Sequence, residues 1–363
     1  MNRQPLLGLV LIAGLFALIF DLACSSESAA QSGAPVPTAQ PAATAVPEPT
    51  ATPAPQKVVF MAGFKPQANL PFVAAYIAQE KGYFAQQGLD VQILHAAQGE
   101  HLKLLLAGDV DIATANADSV LKRRSDPAAP IVAFALFGQK GQNAYIALAS
   151  SGMTTPKDWE GKTFGYKTSV PPEYLAILEI AGVDRSKVQE VKVGFDPRIL
   201  IEGQVQLLAV FKSNEPDTVR RLGFEVVQWA PGDFGIPSLG LTYITRQDLV
   251  EKDPEMLTRF LKATLKGLQD ALSDPEEALN IVMKYAPDED REHQRFMLGI
   301  ELADAVGPVT EEHGLGWLTD AQWKALYDYL LQYQAIPNAF DYKTAFTDRF
   351  LSEAYDGTTL RWP

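Results

Sequence analysis

VVFMAGFKPQANLPFVAAYIAQEKGYF, running from Val58 to Phe84, contains one complete structural unit. The apolar run Val58 to Ala62 ends at Gly63 and reads as a buried strand. From Leu70 to Lys81, the residues Phe72, Ala75, Tyr76 and Ala78 recur at helical spacing, and Gly82 stops the helix. The alternation continues downstream. Leu89 to Leu94 alternates like a strand, Glu100 to Ala107 carries the helical stripe Leu102, Leu105 and Leu106, and Gly108 to Thr114 reads as a strand again. A βαβα order of this kind predicts an α/β domain, a mainly parallel sheet flanked by helices.

A second domain of like construction is announced by an internal echo: LLLAGDVDIA at 104–113 is answered by ILIEGQVQLL at 199–208. Each copy reads as a helix, a glycine stop and a buried strand, with Gln206 standing where the other copy has Asp111. Polar residues follow each strand, Asn116 to Ser119 and Lys212 to Glu215. In α/β sheets the loops at the carboxyl ends of strands face the ligand crevice. Thr163 to Tyr166 reads as a strand, and Pro172 begins a helix that runs to Gly182. After DFGIP at 233–237, the run Leu239 to Thr245 reads as a strand returning to the first lobe, so the chain crosses the hinge twice. The remainder is helical. Pro254 to Leu272 carries the stripe Leu257, Phe260, Leu261, Leu265 and Leu268, and Asp320 to Gln334 carries Trp323, Leu326, Tyr327 and Leu330, with Thr319 as N-cap.

The amino-terminal part reads differently. Leu6 to Phe20 is an apolar run of signal-peptide length preceded by Arg3 and followed by Ala23 and the single cysteine, Cys24. At 1.5 Å per residue it spans about 22 Å of a hydrocarbon core of about 30 Å, which favours a cleaved signal over the alternative of an uncleaved anchor. The arrangement resembles a bacterial lipoprotein signal cleaved to leave Cys24 first and lipid-modified, although Asp21 occupies the position where such signals have leucine. Ser25 to Gln56 is rich in Ala, Pro, Thr and Ser, has no aromatic residue and reads as an extended tether of up to about 100 Å. The expected organisation is a signal peptide at 1–23, a lipid-anchored linker at 24–56, the first part of lobe I at 57–147, lobe II at 148–237, and the return to lobe I with carboxyl-terminal helices at 238–363.

The whole chain has a formal charge of −13, and the body beyond the linker retains −11, which argues against nucleic acid as a partner. With no cysteine in the body, disulfides, thiolate metal sites and a cysteine nucleophile are excluded there. His95, His101, His293 and His313 show no metal-binding spacing, and neither a metal nor a cofactor is expected. A phosphate-binding GxxxxGK[ST] loop is absent too, so any transport energy and pore belong to other proteins.

The stretches FVAAYIAQEKGYF at 72–84 and GLDVQI at 88–93 resemble the opening of periplasmic solute-binding proteins for sulfonates, nitrate and thiamine-pyrimidine precursors. GDVD at 108–111, PKDWEGK at 156–162, NEP at 214–216 and DFGIP at 233–237 continue the pattern. The last two are most like the thiamine-pyrimidine-precursor branch, which includes relatives that deliver riboflavin to an ABC importer. The resemblance implies a two-lobed binder, a monomer that closes on a small molecule and hands it to an ABC permease with its ATPase. It implies placement on the extracytoplasmic face of the cell membrane, through the lipid on Cys24. Fungal pyrimidine synthases also resemble this branch, but they use a cysteine cluster that the body lacks, and a binder is the expected class.

A closing binder needs apolar faces for stacking and polar groups at the strand rims. The candidates in the first lobe are Phe64, Asn69, Phe72, Asn116, Asp118 and Tyr145. Those in the second are Tyr166, Glu173, Tyr174, Asp196, Asn214, Glu215, Trp229, Asp233 and Phe234. Capping is the competing role for Asn116 and Asp118, and turn initiation for Asp196. The carboxylates oppose a sulfonate or nitrate unless neutralised, whereas Lys65, Lys140, Lys167, Lys212 and Arg220 lie near the same loops. A flat neutral heterocycle fits this set, riboflavin first and an aminopyrimidine second.

Overall fold

The computed structural model describes residues 54–97, 99–125, 129–167 and 169–363. The signal segment, Cys24 and the linker as far as residue 53 lie outside the described residues. Ten strands build two sheets: β1 (Gln56–Ala62), β2 (Leu89–His95), β3 (Ile112–Asn116), β4 (Ile131–Leu136), β5 (Asn143–Leu148), β6 (Thr163–Tyr166), β7 (Gln189–Lys192), β8 (Leu207–Phe211), β9 (Val226–Trp229) and β10 (Leu241–Arg246). The first sheet has the order β2-β1-β3-β10-β4 and the second β7-β6-β8-β5-β9. In each, four strands share one direction. The fifth, β10 or β5, enters from the other lobe and pairs antiparallel on both sides. The sequence reading counts 143–147 with the first lobe, but β5 lies in the second sheet, because an antiparallel strand arriving from a crossing has no local pattern that reveals its partners.

The internal echo is a repeated hydrogen-bond device. Asp111 donates its N–H to Val59 O at 3.0 Å and accepts the Val59 N–H on its carboxylate at 2.9 Å. Gln206 does the same at Thr163, both contacts measuring 3.0 Å. Asp and Gln are therefore equivalent here: each side-chain oxygen satisfies a backbone N–H of the neighbouring parallel strand. This use keeps Asp111 out of the expected strand, and β3 begins only at Ile112.

Helix Leu70–Glu80 buries every residue from Leu70 to Ala78, between the first sheet and helix Pro254–Ser273. The apolar stripe read from the latter helix is fully buried, and Phe260 lies 5.6 Å from Phe60 and 5.2 Å from Phe84, ring to ring. Tyr76 and Phe84 are core aromatics, and Trp323, Leu326 and Leu330 pack helix Asp320–Gln332 inward as their spacing requires. Thr319 caps that helix by accepting the Gln322 N–H at 3.3 Å.

Two segments join the sheets, one between β4 and β5 and the other between β9 and β10. They run against each other: Gly240 N–H donates to Gly138 O at 2.8 Å, Phe137 N–H to Leu241 O at 2.9 Å, and Gly141 N–H to Ser238 O at 3.0 Å. A Cβ on Gly138 would stand 2.9 Å from the Gly240 Cα, so the approach requires glycine.

Gly267 makes the helix packing equally close, since a Cβ there would meet Ala74 O at 2.3 Å. Gly267→Ala would gain up to about 1 kcal/mol of helix propensity. The collision with backbone outweighs this, and urea unfolding of the variant is expected to show a net loss of about 1–3 kcal/mol. A more stable variant would contradict the packing.

Candidate functional site

The carboxyl ends of β1, β3 and β8 open on one cleft with two adjoining chambers. The larger, about 450 Å³, is lined by Phe64, Asn69 and Phe72 from the first lobe and by Phe211, Ser213, Asn214 and Glu215 from the second. The other, about 370 Å³, is lined by Asp118, Lys122, Asn143, Tyr145, Lys167 and Glu173. Asn116, Ser119, Phe195 and Phe211 border both chambers.

The aromatic walls come from opposite lobes. Phe64 is 46% exposed on the loop after β1, and Phe195 is 68% exposed on the loop after β7. Exposed rings at a cleft mouth have apolar faces still to bury. The Lys167 ammonium lies 5.4 Å from the Phe195 ring centre and 5.2 Å from that of Phe211, while pairing with Glu215. Loss of water lowers the Lys167 pKa to about 8.

Polar groups converge where the chambers meet. Asn116 begins helix Ala117–Arg124 without capping it by its side chain. Its buried Oδ1 has no hydrogen-bond partner among the described residues, and the same holds for Tyr145 Oη, Glu173 Oε2 and His101 Nδ1. Glu173 Oε1 accepts from Asn143 Nδ2 at 3.1 Å. Burial, reinforced by the nearby Asp118 charge, raises the Glu173 pKa, and burial lowers that of His101. The smaller chamber thus presents an amide acceptor shared with the larger one, a phenol, and a carboxyl group that burial drives toward its neutral, donor-bearing form. Two neighbouring lysines are already engaged, Lys122 with Asp118 at 2.7 Å and Lys212 with Asp304 at 2.7 Å, while Arg123 also lines the smaller chamber.

Phe64, Asn69, Phe72, Asn116, Asp118, Tyr145, Glu173, Asn214 and Glu215 line the cleft. Tyr166, Tyr174, Asp196, Trp229, Asp233 and Phe234 do not. Tyr174 is fully buried and stacks on Phe164 at 4.0 Å and Trp159 at 6.0 Å, and Trp229 meets Trp159 edge-on at 5.5 Å. Tyr166 packs beside Phe164, and Phe234 against the same apolar core. The second lobe uses these rings to fill the space between its sheet and helix Pro172–Ile180. Asp196 initiates a turn by accepting the Arg198 N–H at 3.0 Å, and Asp233 closes its own turn by accepting from Ala230 N–H at 3.0 Å.

Ser119 and Ser213 fall in the polar stretches that the sequence places at the crevice, whereas Phe195, Phe211, Asn143 and Gln142 are cleft residues to which the sequence reading does not point. Phe211 ends a strand at its carboxyl side and was accessible to that rule. Phe195 adjoins Asp196 in the loop after β7, but nothing local distinguishes a ring facing a cleft from one facing solvent.

The model of the family described as NMT1/THI5 like matches residues 69–278. The riboflavin-binding protein RibY of Chloroflexus aurantiacus is 27% identical over 358 residues, covering 94% of this chain and 97% of the relative. A formylaminopyrimidine-binding protein of Halalkalibacterium halodurans is 25% identical over 344 residues, covering 91% and 97%. More distantly, a 4-amino-5-hydroxymethyl-2-methylpyrimidine phosphate synthase of Saccharomyces cerevisiae is 22% identical over 249 residues, covering 64% and 72%. Among solved structures, the periplasmic aliphatic sulphonate-binding protein of Escherichia coli superposes with a TM-score of 0.63 at 13% identity, over 86% of this chain and 95% of that one. Two sheets joined by two crossings, a cleft at their carboxyl edges and a family match spanning most of both lobes lead to one conclusion: the chain belongs to the NMT1/THI5-like family and has the periplasmic binding protein fold.

Proposed function

We propose that this protein is the solute-binding component of an ABC importer and that its solute is riboflavin. The carrying observation is the two-chamber cleft. A single-ring pyrimidine needs one chamber, whereas a three-ring flavin with a polyol tail has use for both. The apolar chamber between Phe64, Phe72, Phe195 and Phe211 suits the ring system, and the polar chamber suits the hydroxylated tail. Full-length similarity to a riboflavin-binding protein supports the same assignment. A sulfonate is less well served, because Lys122, Lys167 and Lys212 are each committed to a carboxylate and Arg123 is, among the described residues, the cation left to meet it. The likeness to pyrimidine phosphate synthases is confined to a smaller part of the chain, and a binding role accounts for the cleft without chemistry.

The lobes turn about the paired crossings at Gly138 and Gly240. Ligand contacts made from both sides favour the closed form, which is then the form that a permease recognises. The body acts as a monomer outside the membrane, tethered through a lipid on Cys24.

Titrating the purified protein with riboflavin is expected to quench flavin fluorescence with a low-micromolar midpoint. No change at tens of micromolar removes riboflavin, and a rise in melting temperature with formylaminopyrimidine but not with riboflavin selects the smaller ligand. Phe195→Ala is expected to weaken riboflavin about tenfold through loss of a ring contact worth about 1–1.5 kcal/mol. Because Phe195 is exposed, its melting temperature should remain that of the parent. For the tether, intact mass of membrane-extracted protein should show acyl chains on Cys24, and Cys24→Ala should release the protein to the soluble fraction. An unmodified mass refutes the anchor.

A further inference from the structure

The residues that line the larger chamber are held from behind by a carboxyl group that does not line it. Glu301 lies in helix Arg291–Ala305, only 4% exposed. Its Oε1 accepts from Asn69 Nδ2 at 3.0 Å, from Ser213 Oγ at 3.1 Å and from Gln142 Nε2; its Oε2 accepts from Leu70 N–H at 3.3 Å. Asn69 belongs to the first lobe, Gln142 to a crossing segment and Ser213 to the second lobe, and all three border the chamber. One oxygen thus joins the three parts of the molecule that must keep their places for the cleft to have one shape.

The same helix grips the second lobe on either side of Glu301. One turn beyond it, Asp304 pairs with Lys212 at 2.7 Å. Two turns before it, His293 contacts Asp217 at 2.7 Å and Asn214 at 3.0 Å. Met297, between them, lines the chamber. Spacings of four, four and three residues put His293, Met297, Glu301 and Asp304 on a single face. That face lies beyond the segment matched by the family model, which ends at residue 278.

We propose that Glu301 is a positioning residue for the ligand cleft, a clamp that holds the second-lobe segment 212–217 in register with the first-lobe rim at Asn69. Three donors on one oxygen are strongest toward a carboxylate. Burial works against that form and, with Asp304 adding to it, pushes the Glu301 pKa up to about 7. The charged groups around this pair are Asp304 on the same helix, Lys212 from the loop after β8, and Lys140 from the crossing segment. The two consequences have opposite signs. A raised folded pKa means that this group's contribution to global stability is full below about pH 4.5 and is lost as pH rises through 7. The clamp itself tightens over that rise: when 212–217 alone opens, Glu301 stays buried and loses the Ser213 bond that lowers its pKa, so ionisation favours the clamped form.

Hydrogen exchange of the full chain, followed by mass spectrometry without added ligand, separates the two effects. With intrinsic rates corrected, wild type is expected to protect 212–217 more strongly at pH 8 than at pH 6. Glu301→Gln should raise exchange there about tenfold at pH 8 and flatten the pH profile, as loss of one charge-assisted bond implies. Ser213→Ala, which removes only the second-lobe donor, should raise exchange similarly. Wild-type protection in a folded Glu301→Gln protein, or an unaltered pH profile, overturns the proposal. If that variant does not fold, Ser213→Ala decides alone. No solute enters the measurement, so its outcome is independent of the riboflavin assignment.

Discussion

Gly138 and Gly240 bring the two crossing segments into backbone contact, and the rest of the molecule is organised around that approach. Because the crossings pair, β5 and β10 are delivered as antiparallel strands into sheets that are otherwise parallel. Each lobe thereby contains one strand rooted in the hinge, and the carboxyl ends of both sets of parallel strands face the same gap. A side chain at either glycine would separate the segments and with them the two walls of the cleft.

Within that frame, the two lobes solve the same problem with different residues. Asp111 and Gln206 each hold an N–H of the neighbouring parallel strand, and each precedes a strand whose far end reaches the cleft. The fillings differ. The first lobe seats helix Leu70–Glu80 closely against a helix that carries Gly267 and gathers Phe60, Phe84, Tyr243 and Phe260 beneath it, whereas the second relies on Trp159, Phe164, Tyr174 and Trp229. This difference explains why aromatic residues of the second lobe were poor guides to the site. Their flat faces are occupied by one another.

Charge distribution within the cleft follows from burial. Lys122 and Lys167 are matched by Asp118 and Glu215, while Asn116, Tyr145 and Glu173 retain polar atoms with no partner among the described residues. Unpaired buried polar atoms are costly, and those that line a cleft can be completed by a ligand. Asn116 borders both chambers, and Tyr145 and Glu173 line the smaller one, so a ligand that enters both passes the first and meets the other two.

The sequence by itself determined the α/β alternation, the two-fold repeat, the helix limits near Leu70 and Thr319, and the rule that loops after β3 and β8 belong to the cleft. These properties are carried by residues a few positions apart, whose periodicity and capping are set by local backbone geometry. Only the tertiary structure decided which rings are core and which are wall, which sheet receives β5, and that Glu301 meets Asn69, Gln142 and Ser213. The last of these residues are separated by as many as 232 positions along the chain. Stacking in a core and stacking on a ligand demand the same side chains, and a carboxylate on a helix looks alike whether it meets water or three distant donors, so the path of the chain through its two crossings had to supply the difference.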